Sequence, residues 1–116
     1  MTTFKFSFTI SSKGFGDIID ITDKVESFLY KSDSDNAIVY IYNDSNNVAL
    51  KNIEIKELKE KMEDRNYQKI IQVGNNNTLI LPIIDKKLYT NEMSRILFID
   101  FEQSTNMRKI VVMLQT

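Results

Sequence analysis

From Phe4 to Ile10 the chain alternates apolar and polar residues. Phe4, Phe6, Phe8 and Ile10 fall on one side, Lys5, Ser7 and Thr9 on the other. A period of two predicts a half-buried strand. Residues 11–16 are rich in Ser and Gly and read as the turn that follows. Ile18, Ile19, Asp20 and Ile21 extend again and lead to a helix start. Asp23 and Glu26 stand at capping-box spacing, with Thr22 an equally good N-cap, and Val25, Phe28 and Leu29 then share a helical face.

The polar run 32–36 reads as a solvated loop. An oxygen-ligand calcium loop would need a downstream Glu and a Gly at fixed spacing, and the run has neither. Residues 37–42, Ala-Ile-Val-Tyr-Ile-Tyr, form a continuous apolar run that predicts a buried central strand. Tyr40 and Tyr42 share one face of it, an arrangement better suited to packing than to recognition. A polar corner, 43–47, precedes a resumed strand at Val48, Ala49 and Leu50. Ile55, Leu58 and Met62 then recur at helical spacing and predict a helix over 54–64. The remainder reads as strands at 68–73, 78–84, 95–101 and 108–114, the first two separated by a Gly-Asn turn. Pro82 cannot donate to a ladder, which puts its strand at an edge or bulge. These last four strands follow one another at hairpin length. The pattern predicts an α+β fold with two or three helices and a largely antiparallel or mixed sheet.

Length and charge narrow the function classes. A chain of 116 residues without a Pro- or Gly-rich linker is expected to form one domain over 1–116. Its net charge of −1 gives no basic excess for neutralising phosphates, so no nucleic-acid partner is expected. No apolar h-region opens the chain and no apolar run reaches membrane-spanning length, so no membrane partner and a cytoplasmic location are expected.

The chain has no His, no Cys and no Trp. This excludes Ser-His-Asp and Cys-His catalysis and the usual zinc sites. Gly14-Phe15-Gly16 is a bare GxG that matches neither a Walker loop nor a dinucleotide fingerprint. Asp100 and Glu102 are two apart, so a strand would point both to one face. Paired carboxylates can divide acid and base roles. More often such residues face solvent or pair with nearby cations, here Arg108 or Lys109.

Three segments in order carry a resemblance. The first is Asp20-Ile21-Thr22-Asp23-Lys24-Val25. The second runs from Ala37 to Glu54 and contains Ser45-Asn46-Asn47-Val48-Ala49-Leu50. The third contains Leu81-Pro82-Ile83-Ile84, then Ile96 to Glu102, then Arg108-Lys109-Ile110-Val111-Val112. Together they resemble the YjbQ-like family, also described as secondary thiamine-phosphate-synthase-like. The family pattern reads D-I-T-x-x-V, then H-T-T-A-A-I-T-I-N-E, then E-F-D-G before a closing basic strand. The resemblance implies an α+β sandwich, a homotrimer and histidine-lined sites near subunit boundaries. Ser45 stands at the family's histidine, and Asn46 and Asn47 stand at its two threonines. Asn91, Glu92, Met93 and Ser94 replace its G-T-W-Q stretch, and Gln103 replaces its glycine. Glu54 retains the acidic position.

These departures fall on site positions, which implies a degenerate, non-catalytic member with a structural or oligomeric-scaffold role. No catalytic residue, metal ligand or cofactor is assigned. As an alternative, Ser45, Asn46, Asn47 and Glu54 would line a polar pocket for a phosphate ester or a thiamine-related compound. A third reading is a weak carboxylate enzyme, holding Mg²⁺ through Glu54 and Asp44.

Overall fold

The computed structural model describes residues 3–32, 35–45, 47–54, 77–85, 87–88 and 94–116. In chain order these form β1 (Thr3–Ser12), β2 (Asp17–Asp20), α1 (Thr22–Ser32), β3 (Ala37–Tyr42), β4 (Val48–Glu54), β5 (Thr78–Ile84), β6 (Lys87–Leu88), β7 (Ser94–Asp100) and β8 (Asn106–Gln115). The architecture is mostly antiparallel β-sheet with one helix among the described residues. The expected strand at 68–73 and nearly all of the expected helix at 54–64 lie outside those residues. Glu54, expected to open that helix, is instead the last residue of β4, opposite Ser94.

The strands form two sheets, ordered β1-β8-β3-β5-β6 and β2-β7-β4. Every pairing is antiparallel. Of the expected run of consecutive hairpins, the pairing of 68–73 with 78–84 lies outside the described residues, and β5, β7 and β8 do not pair with one another. The last strand, β8, inserts between β1 and β3, and β7 belongs to the other sheet, between β2 and β4. Periodicity specifies a strand and its buried face but not its partner, and hydrophobic burial selected non-local partners here. Pro82 sits at an edge as expected. It lies on β5, whose outer neighbour β6 pairs, among the described residues, with Ile83 and Ile84.

Alternation explains the core. Val39 and Ile41 of β3, Leu81 and Ile83 of β5, and Ile110, Val112 and Leu114 of β8 belong to one buried cluster with Val48, Leu50, Ile96 and Phe98 of the smaller sheet. Helix α1 adds Val25 and Leu29. Phe28 stacks on two inward residues of β1, Phe6 at 5.2 Å and Phe8 at 5.7 Å between ring centroids. Strand β7 is apolar on both faces because both are covered. Ile96 and Phe98 enter the main cluster, and Leu97 and Ile99 enter a second one with Ala49 and Ile53.

The helix start differs in detail from the expected capping box. Asp20, not Asp23, accepts from the Thr22 N–H (3.0 Å) and from the Thr22 hydroxyl (2.7 Å). The same hydroxyl accepts from the Ile96 N–H at 2.7 Å, which ties the helix start to β7. Thr22 is buried, so its hydroxyl serves two bonds where a surface cap would serve one.

Candidate functional site

The corner between β3 and β4 carries the residues singled out by the sequence. Asn43 is buried at its entry. Its side-chain Nδ2 donates to the Lys109 carbonyl at 2.8 Å, and its Oδ1 accepts from the Ser45 N–H at 2.8 Å. The Ser45 hydroxyl accepts from the Asn47 N–H at 3.2 Å, a local hydroxyl turn. Asn77 closes the corner from the other side. Its Nδ2 donates to the Asn43 carbonyl at 2.9 Å and the Ser45 carbonyl at 3.2 Å, while its own carbonyl accepts from the Asn43 N–H at 3.1 Å. The Asn47 carbonyl accepts from the Phe101 N–H at 3.0 Å. These bonds satisfy the backbone of a tight turn between two sheets.

Ser45 and Asn47 therefore sit together, and Asn46 lies outside the described residues. Glu54 is elsewhere. Six residues of extended strand separate it from Val48, about 20 Å at the usual rise. Within one chain, Glu54 converges neither with Ser45 and Asn47 nor with Asp44. Among the described residues no three acidic side chains gather as a metal would require.

A second polar cluster is buried at one end of the core. Asp100, at the end of β7, is fully buried. Arg108, on β8, reaches it from the other sheet with two bonds, Nε to Oδ2 at 2.8 Å and a terminal guanidinium nitrogen to Oδ1 at 3.1 Å. The Glu102 N–H donates to Asp100 Oδ1 at 3.0 Å, and the buried Ser12 side chain donates as well. Burial alone would raise the Asp100 carboxyl. The bonds from Arg108, Ser12 and Glu102, with the attraction of the guanidinium, overcome it and hold the group below the usual carboxylate value. Arg108 is raised in turn, first through its bond to Asp100.

This settles the expected carboxylate pair. The strand ends at Asp100, so Glu102 lies past it and contributes its backbone. Asp100 and Glu102 do not form a paired acid-base site. Arg108 was the right partner, but it bridges two sheets instead of neighbouring on one.

The GxG turn is built against this pair. Gly14, Phe15 and Gly16 all have positive φ, at 68°, 54° and 87°. Their N–H groups are committed to the Ser12 hydroxyl, the Glu102 carbonyl and the Asp100 carbonyl. A Cβ on Gly14 would lie 2.2 Å from the Ser104 carbonyl oxygen. The glycine there allows close backbone approach and leaves no N–H array for a phosphate. The sequence offered no signal for this role, because the contacts come from residues some 90 positions away.

A third cluster braces the helix start. Arg95 Nε meets Asp20 Oδ2 at 2.7 Å, and a terminal nitrogen meets Asp23 at 3.3 Å. Partial burial would raise Asp20, and the bonds from Arg95 and Thr22 outweigh it, so its carboxyl lies below the ordinary value. One group stands apart. The Asn52 side-chain Oδ1, on the same face of β4 as Glu54, is buried without a hydrogen-bond partner.

Comparison with known proteins supplies the fold's relatives. No family model matches the chain, and no curated protein matches it. Among solved structures, a YbjQ-like protein of unknown function from Sulfolobus solfataricus P2 matches with a TM-score of 0.79 at 18% identity, covering 97% of this chain and 96% of that one. A hypothetical protein from Aeropyrum pernix K1 matches at 0.74 and 19% identity, covering 97% and 96%. An uncharacterized conserved protein of the yjbq/upf0047 family from Clostridium acetobutylicum matches at 0.73 and 14%, covering 92% and 97%. The chain has the YbjQ-like fold. At these identities the likeness shows the fold alone.

Proposed function

We propose that this protein is a non-catalytic user of the YbjQ-like fold, with a structural or oligomeric-scaffold role. One observation carries the reading. At the corner where the resembled family places a histidine, the side chains of Asn43, Ser45 and Asn77 are spent on backbone groups of the turn. Such bonds lower the cost of a buried polar corner but activate no water or hydroxyl. The described carboxylates with shifted pKa, Asp20 and Asp100, lie below their ordinary value and are held by arginines. A general acid or base working near neutrality needs the opposite shift.

The proposed assembly is a homo-oligomer, a trimer by family resemblance, with each chain forming one sandwich-like unit over 1–116 that includes a second helix. Large apolar side chains exposed on the single chain agree with it, Phe15 at 72% and Met107 at 68% exposure among them. Mass in solution tests this, and a clean monomer at working concentration contradicts it. A cytoplasmic location is part of the same proposal. No helix among the described residues is long and apolar enough to cross a membrane.

Asn52 favours a second reading. Its unpartnered amide oxygen, two residues from Glu54 on the same strand face, is an acceptor that a ligand donor would satisfy. A small-molecule site at that end of β4 would take Glu54 from one chain and Ser45, Asn46 and Asn47 from a neighbour. A thermal-shift panel of phosphate esters and thiamine-related compounds tests it. A ligand at 100 times its Kd stabilises by about 2.7 kcal/mol. A shift abolished by Glu54→Gln supports the site, and a flat panel removes it.

A further inference from the structure

An antiparallel sheet with one face in water alternates apolar and polar residues, whereas a strand covered on both faces reads as a continuous apolar run. Strand β1 follows the first rule. Phe4, Phe6 and Phe8 pack on the core, and Lys5, Ser7, Thr9 and Ser11 are exposed on the other side. Strands β3 and β5 follow the second. Val39, Ile41, Leu81 and Ile83 belong to the core, yet the alternate positions are Ile38, Tyr40, Tyr42, Ile80, Pro82 and Ile84. The single chain leaves Ile38 43%, Ile80 57% and Ile84 44% exposed. These two strands have the sequence of covered strands on a side that the single chain leaves open.

The register makes these residues one patch. Tyr40 lies between Met113 and Ile80, and in the next row Ile38 lies between Gln115 and Pro82. Met107, 68% exposed, is on the same side further along β8. An open hollow of about 460 Å³ ends the patch, lined by Ala37, Ile38, Ile83 and Ile84 among others. Such hollows receive the anchor side chains of a partner. The charged residues of this face stand at its margins. Lys5 and Lys87 are on the two edge strands, and Lys109 lies past the end of the β3 pairing. Among the described residues the face has no Asp or Glu. An apolar centre with Tyr and Met, and with charge kept to the rim, is the composition of a protein interface.

Its size fits a subunit contact. At about 3.3 Å per residue and about 4.8 Å between strands, the five strands offer a face of roughly 550 Å² in plan, and side chains make its accessible area larger. A stable interface takes about 800 Å² per partner, near a tenth of a small protein's surface. The accessible surface of this chain is 7224 Å². Three lysines without a carboxylate oppose packing the face on the same face of a second copy. A closed ring instead sets each face against a different surface of the neighbour. We infer that the outer face of the β1-β8-β3-β5-β6 sheet, centred on Tyr40, Ile80 and Met113, is the surface on which a second copy of this chain packs, using a different surface of that copy. The inference rests on the oligomeric reading and assigns its interface.

Mass in solution by light scattering, on the full chain and its variants, tests it. Ile80→Lys with Ile84→Lys changes side chains already exposed on the single chain, and circular dichroism checks that the variant is folded. The parent is expected at a multiple of 13.5 kDa and the variant at 13.5 kDa. A folded variant that keeps the parent's mass overturns this inference and leaves the oligomeric reading standing. A parent that is itself monomeric overturns both. Ile80→Cys supplies a second measurement that does not depend on the lysine variant, because the chain has no cysteine of its own. At a concentration where about nine tenths of the chain is assembled, its labelling by a maleimide should be about tenfold slower than at a dilution where it is monomeric, since only the free fraction reacts. Equal rates overturn the inference. A disulfide that joins two copies of the Ile80→Cys variant within the assembly also overturns it, because it sets the face against itself.

Discussion

Replacing Asp100 by Asn removes a buried charge while keeping the shape of the side chain. The carboxylate is fully buried, and the Arg108 side chain that meets it is only 14% exposed. The substitution therefore leaves a guanidinium between two sheets without its counter-ion. Breaking one partner of a buried pair costs about 3–5 kcal/mol. A chain of this size has a total stability of roughly 6–17 kcal/mol, so the loss is a large share of the whole. At roughly 4 °C per kcal/mol, the melting temperature should fall by about 12–20 °C. Urea unfolding followed by circular dichroism measures it, with the midpoint lowered and the slope unchanged. A pH series supplies an independent sign. The folded Asp100 carboxyl is lowered, so its contribution is complete above the unfolded value near 3.9. The contribution is lost as pH falls from there through the folded value. Asp100→Asn should remove that part of the acid destabilisation, so the difference between the two proteins narrows below about pH 4. Replacing both residues by apolar ones, Asp100→Leu with Arg108→Met, should cost less than either single change, because no charge is left unpaired. A loss under about 1 kcal/mol for Asp100→Asn, constant with pH, would refute the assignment of this pair as the bridge between the sheets.

Three further outcomes follow from the same geometry. Gly14→Ala forces a Cβ to within 2.2 Å of the Ser104 carbonyl oxygen at a positive φ; a loss of about 2–3 kcal/mol is expected in urea unfolding. Asn43→Ala strands the Ser45 N–H and the Lys109 carbonyl, and should cost about 2–3 kcal/mol in the same assay. Arg95→Ala breaks an ion pair whose side chains are 31% and 41% exposed, so the expected loss is under about 1 kcal/mol and shrinks with added salt.

The sequence was most legible where a residue's surroundings are its chain neighbours. The alternation at Phe4, Phe6, Phe8 and Ile10 located β1 and its inward face, and the apolar run at Ala37–Tyr42 located β3 to the residue. Partner choice was not legible. That β1 pairs with β8, or that β7 leaves for the second sheet, depends on contacts across nearly the whole chain. The candidate site divides the same way. Turn-prone Asn and Ser residues marked the corner at Asn43–Ser45. Asn77, which closes it, is 34 residues from Asn43 and reads locally as part of another turn. Asp100 and Arg108 are only eight apart, yet their burial between sheets is set by topology. The Gly14 contacts with Ser104 and Glu102 had no local signal at all.

The central claim is that the corner at Ser45 serves the fold and performs no chemistry. A direct assay for thiamine-phosphate formation by the purified chain, with and without Mg²⁺, tests it most plainly. The account predicts no turnover above the blank in either condition. Turnover that disappears in Ser45→Ala or Glu54→Gln, with the variants still folded, would contradict it.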